Sequence, residues 1–164
     1  MGWRPRIVSV RVTEDTGGQG KVTRVVLTGP LGEQVEASWI DEGKGSASLR
    51  RAIGQATVHA LGFCLQPAYT LSLESVSALK VGSRTIVAAI VRLSDPSSEC
   101  VLSGAVLTSD NPEMAVVKAV LHAVNRRLDR ISMTNAVKDQ AWLTEVSEDR
   151  PPIQCQHEGM RRIT

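Results

Sequence analysis

Gln55-Ala56-Thr57-Val58-His59-Ala60-Leu61 and Lys118-Ala119-Val120-Leu121-His122-Ala123-Val124 carry one pattern twice, 63 residues apart. Ala52 and Ala115 extend the match by one turn. Both stretches have helical spacing. Ile53, Ala56, Thr57 and Ala60 fall at i, i+3, i+4 and i+7, as do Val116, Ala119, Val120 and Ala123. The alanines mark faces that come close to a sheet or to another helix. Ala56, Ala60, Ala119 and Ala123 are therefore expected to be buried. His59 and His122 lie on the flank of each stripe and read as boundary histidines.

What precedes each helix repeats as well. Residues 6–12 alternate Val8, Val10 and Val12 with Ser9 and Arg11, the period of a half-buried strand. Residues 21–28 and 34–40 read as two further strands, separated by turns at Gly17–Gly20 and Gly29–Gly32. A polar loop from Asp41 to Ser46 leads into a helix over Ala47–Leu61, with Ser46 as its cap and Gly62 behind it. In the second half, strands are expected at 70–75, 84–92 and 99–107. A helix over Pro112–Ile131 follows, with Asn111 as N-cap and Pro112 at the first helical position.

The order is βββα twice, and the gap-free offset of 63 relates residue i to residue i+63. The expected fold class is α+β: two βββα repeats forming an antiparallel sheet of six strands with two helices on one face, related by a pseudo-twofold axis. Repeat one spans 6–66 and repeat two 69–131, together a domain over 1–131. The opposite sheet face is expected to carry Val26, Ile40, Ala89 and Val101. Residues 132–164 read as a tail, with one or two helical turns around Val137–Val146 anchored by Trp142 and Leu143, and a polar end.

Composition narrows the function classes. Of the 164 residues, 42% are hydrophobic and 3% aromatic, so the core is built from Val, Leu, Ile and Ala rather than from rings. So few aromatics exclude a base-stacking platform for single-stranded nucleic acid. Nineteen basic and 17 acidic side chains leave a net charge of +2, without a basic segment that would mark a nucleic-acid footprint. Arg126, Arg127 and Arg130 read as cations complementing a helix C-terminus. Three widely spaced cysteines, Cys64, Cys100 and Cys155, are not a disulfide framework. The longest apolar run, Ile86–Val91, is too short to span a bilayer, and no signal peptide precedes the first strand. The expectation is a cytoplasmic protein with reduced thiols and no membrane partner.

No catalytic motif stands out. Gly17-Gly18-Gln19-Gly20 lacks the Lys-Ser/Thr of a phosphate loop and reads as a hairpin turn. Cys155-Gln156-His157 offers two metal ligands in a polar tail, too few for a metal site. Cys64 near His59 admits a thiol nucleophile, but a small buried residue is the simpler reading. Cys100, in mid-strand, reads as core. The expected catalytic residues, metal sites and cofactors are none. The loop Gly43-Lys44-Gly45-Ser46 is the candidate ligand site, because free N–H groups at a helix start suit a carboxylate or phosphate. Its second copy, Ser109-Asp110-Asn111, carries an acid that opposes an anion.

Glu42-Gly43-Lys44-Gly45-Ser46-Ala47-Ser48-Leu49-Arg50-Arg51-Ala52-Ile53 resembles the E-G-x-G-x-x-x-A segment before the first helix of the C-terminal regulatory domain of α-isopropylmalate synthase. Thr108–Leu128 resembles that domain's second loop and helix. The resemblance covers about residues 6–130. Ser46-Ala47 stand where the family has Gly-Pro. It implies a duplicated βββα unit that pairs with itself and takes a small carboxylate through Gly43, Gly45 and Ser46, without synthase activity. The expected function is a non-catalytic regulatory or small-molecule-binding module, homodimeric, with a small anionic metabolite or a protein as partner. The alternatives are an interaction or scaffold domain without a ligand, and an enzyme using Cys64, His59 or His122.

Overall fold

The computed structural model describes residues 3–16, 20–108 and 111–146; beyond Leu128 it describes the backbone and the side chain of Ile131. The element order is β1 (Ile7–Glu14), β2 (Lys21–Thr28), β3 (Gln34–Asp41), α1 (Ser46–Phe63), β4 (Thr70–Val81), β5 (Arg84–Ser94), β6 (Glu99–Leu107) and α2 (Pro112–Val146). This is the expected α+β fold of two βββα units. The strands do not join into one six-stranded sheet. They form two antiparallel three-stranded sheets, β1-β2-β3 and β4-β5-β6.

The helices explain the split. Helix α1 packs on β2 and β3 of its own sheet and also on β4 of the other; α2 packs on β5 and β6 and reaches β1. Each helix therefore contacts both sheets, and the two helices touch. The buried residues of α1 span more than half its circumference: Ala52, Ile53, Gly54, Ala56, Thr57, Val58, Ala60 and Leu61. A helix lying on a single sheet would bury a narrower stripe. Gly54 admits β4, because a Cβ there would sit 2.7 Å from Leu73 Cδ2 and 3.0 Å from Val76 Cγ2.

All four expected alanines are buried, at 0% exposure for Ala56, Ala60 and Ala119 and 6% for Ala123. The burial patterns of the two helices match at an offset of 63, from Ala52/Ala115 to Leu61/Val124. The strands do not keep that offset. Both repeats have a bulge in the first strand, at Val8 and at Glu74, which relates β1 to β4 by 66. From there the pairings relate β2 to β5 by 64, as Ser9↔Val26 matches Ser75↔Ile90. They relate β3 to β6 by 67, as Val25↔Ala37 matches Ala89↔Gly104. The gap-free superposition is thus corrected: turns of different length shift each strand. In β2 and β5 the shift is one residue, which exchanges sheet faces. Ala89, expected outside, is core at 0% exposure, while Ile40 and Val101 are outside at 58% and 59%. Val26 pairs on the outer face yet is only 8% exposed.

Three element boundaries also move. Strand β4 continues to Val81 rather than ending at Ser75, closing on β5 through the two-residue turn Gly82-Ser83. Helix α1 begins at Ser46, so Gly45 rather than Ser46 is its N-cap, and Gly62 lies inside it. Helix α2 runs through to Val146 because nothing after Pro112 stops it; residues 113–146 contain neither Gly nor Pro. Its start follows expectation, with the Met114 N–H donating to Asn111 Oδ1 at 2.9 Å. The polar end of the tail, Cys155-Gln156-His157 included, lies outside the described residues, as do the side chains of Arg130, Trp142 and Leu143.

The register yields a stability prediction. Thr23 is fully buried in β2 and its Oγ1 has no hydrogen-bond partner. Its counterpart in the second repeat, 64 residues on, is Val87, also buried. A buried hydroxyl without a partner is destabilising. Thr23→Val is expected to raise the unfolding free energy by about 1 kcal/mol, read from urea denaturation at unchanged m-value.

Candidate functional site

The candidate loop Gly43-Lys44-Gly45-Ser46 joins β3 to α1, and all four residues are exposed. Its shape is set by Asp41, the last residue of β3, which is only 6% exposed. Asp41 Oδ1 accepts the Gly43 N–H at 2.9 Å and also the Ser48 hydroxyl. A Cβ on Gly43 would collide with the Ser48 side chain, so glycine is required there by space. Gly45 needs glycine for a different reason: its φ is +100°, while a Cβ there would face open space. The first intrahelical bond is Leu49 N–H to Gly45 O, at 3.3 Å. The N–H groups of Ser46, Ala47 and Ser48 precede it at the positive end of the helix, with Lys44 beside them. One donor the sequence counted as open, the Gly43 N–H, is taken by Asp41. Sequence reading did not single out Asp41; an acid two residues before a glycine at a strand end was the available signal.

The two histidines occupy equivalent, exposed positions, each against its own sheet. His59 meets Trp39 of β3 edge to face, with ring centroids 5.0 Å apart and planes at 79°. His122 donates its Nδ1–H to the Ala105 carbonyl of β6 at 3.2 Å; a carbonyl can only accept, so that nitrogen carries the proton. Beside His122 lies an open cavity of about 290 Å³, lined by Val106, Lys118, Leu121, His122 and Asn125. No sequence motif connects Lys118 with Val106 and Asn125.

Cys64 caps the end of α1 and is partly buried, with Sγ 3.5 Å from the Ala60 carbonyl. Burial first, and the Glu33 charge second, push its thiol up to about 11. It therefore stays protonated at neutral pH, the opposite of an activated nucleophile. Cys100 is partly buried in β6 rather than in the core. Among the described residues no group of three or more His, Cys, Asp or Glu side chains could hold a metal ion. No helix among them is long and apolar enough to cross a membrane.

The outer faces of the two sheets differ. Across the first, Arg11 pairs Arg24 and Arg24 pairs Ser38, and an Arg24–Glu36 ion pair at 3.0 Å crosses it. Across the second runs the row Leu79, Ile86, Leu107, next to Ser77, Ala88, Ala105. Leu79 is 54% exposed, Val81 58% and Leu107 49%, while Ile86, Ala88 and Ile90 are partly buried. Charges flank the row at both ends: Arg84 beside Val81, and Arg92, which bridges Glu74 at 3.5 Å and Glu99 at 3.2 Å. Compared with known proteins, the chain matches no protein-family model and no curated protein.

Proposed function

We propose that the protein is a non-catalytic regulatory module of the cytoplasm that self-associates through the outer face of β4-β5-β6 and responds to a small carboxylate. The observation that carries this reading is the apolar row Leu79, Ile86, Leu107, exposed at Leu79 and Leu107 and partly buried at Ile86, on the side of the sheet away from the helices. A contiguous apolar row of this kind favours a protein partner. A second copy supplies the same face in self-complementary form. The raised thiol of Cys64 speaks against the alternative of a cysteine enzyme. Supporting a carboxylate are the Gly43–Ser46 helix start, with Lys44 beside it, and the likeness of that loop to the synthase regulatory domain.

Sedimentation equilibrium of the full chain tests the association. The expected mass is twice 17.7 kDa, falling to one chain in the double variant Leu79→Lys, Leu107→Lys, whose circular dichroism stays native. A wild-type monomer at all concentrations overturns the self-association. The ligand arm is a thermal-shift screen with small carboxylates, in which Lys44→Glu removes the shift. If no carboxylate shifts the wild-type melting temperature while the dimer persists, the protein is an interaction domain without a ligand.

A further inference from the structure

The two repeats differ at three linked positions around the α2–β6 groove. By the strand register Val106 stands where the first repeat has Trp39. By the helix offset of 63, Lys118 stands for Gln55 and Asn125 for Gly62. In repeat one the Trp39 ring lies against His59. In repeat two the smaller valine leaves the space beside His122 open, about 290 Å³. The same exchange adds a cation and an amide to its wall. His122 is held by its Nδ1–H on the Ala105 carbonyl, which leaves Nε2 as its second polar atom.

We propose that this groove is a binding site for a small carboxylate that also carries a hydrogen-bond donor, such as a short 2-hydroxy acid. Lys118 matches the carboxylate, a hydroxyl donates to Nε2 of the exposed His122, which accepts while Nδ1 carries the proton, and Val106 with Leu121 covers a short apolar chain. The volume lies at the small end of ligand pockets, which matches a small occupant. The proposal does not rest on the Gly43–Ser46 loop, and it assigns the second repeat a role the first cannot share, since Trp39 occupies the corresponding space.

Amide chemical shifts of the full-length protein, titrated with 2-hydroxybutyrate and with butyrate, provide the test. The expected result is saturable shifts at Val106, Lys118, His122 and Asn125, with butyrate binding at least tenfold more weakly because it has no donor for His122 Nε2. Val106→Trp, which copies the first repeat, is expected to abolish the shifts while the protein stays folded. Lys118→Gln is expected to weaken binding at least tenfold; because Lys118 is exposed, this variant reads binding without disturbing the core. Unchanged binding in both variants overturns the proposal. So does the absence of saturable shifts in the wild type. Shifts confined to Gly43, Gly45 and Ser46 overturn it too, while sustaining the loop as the ligand site.

Discussion

Gly104→Val is expected to cost about 3 kcal/mol or more, the upper end of overpacking effects. Gly104 lies in β6 directly under α2. A Cβ there would collide with the Ala119 carbonyl and with the backbone of Ala123. Both obstacles are main chain, so no rotamer change relieves them and the helix must lift from the sheet. Lifting α2 also opens its contacts with β5 and with α1, which are part of one core. At the size of this domain the melting temperature should fall by roughly 6–12 °C. A loss below about 1 kcal/mol in urea denaturation would mean that α2 does not rest on Gly104. The equivalent residue of the first repeat is Ala37, which carries a Cβ and is 7% exposed. The helix over the first sheet therefore does not need a glycine beneath it.

Ala119→Leu is expected to destabilise by about 1–3 kcal/mol. Ala119 has no exposed surface, and it sits on the helix turn that meets Gly104. Three added carbons have no space on that side, and the neighbours Val116, Val120 and Ala123 are themselves buried. Because Gly104 and Ala119 share one contact, the double variant should fall short of the sum of the two single losses. A double-mutant cycle by chemical denaturation measures this. Additivity within about 0.3 kcal/mol would place the two residues in separate contacts. Lys118→Leu, one residue away but exposed, is the control and should change stability by less than about 0.5 kcal/mol.

The helix faces were legible because a period of 3.6 leaves a mark on a single chain: every residue of both predicted stripes is buried. The antiparallel βββα order was legible for a similar reason, since alternation and turn residues are local. The offset of 63 held in the helices and failed in the strands. Identical pairs cluster in the helices, at Ala52, Ala56, His59 and Ala60, and almost none anchor the strands. Without such anchors a shift of one to four residues per strand leaves no trace in composition, although it decides which face of β5 is core. At the candidate loop the glycines were visible and Asp41 was not, because its role depends on where Ser48 comes to lie one helical turn away. The groove beside His122 was invisible for the same reason: Val106, Lys118 and Asn125 come from two elements whose pairing no local pattern states.

The amino-acid sequence alone determined the duplication, the antiparallel strands and the two small-residue helices. Each follows from periodicity, turn chemistry or composition, which act over a few neighbouring residues. The tertiary structure decided that the strands separate into two sheets with each helix in contact with both. It also decided that the row Leu79, Ile86, Leu107 lines up on the outer face of the second sheet, and that Val106 leaves open the space Trp39 occupies. These depend on register and on helix-to-sheet distance, quantities set by packing between residues far apart in the chain.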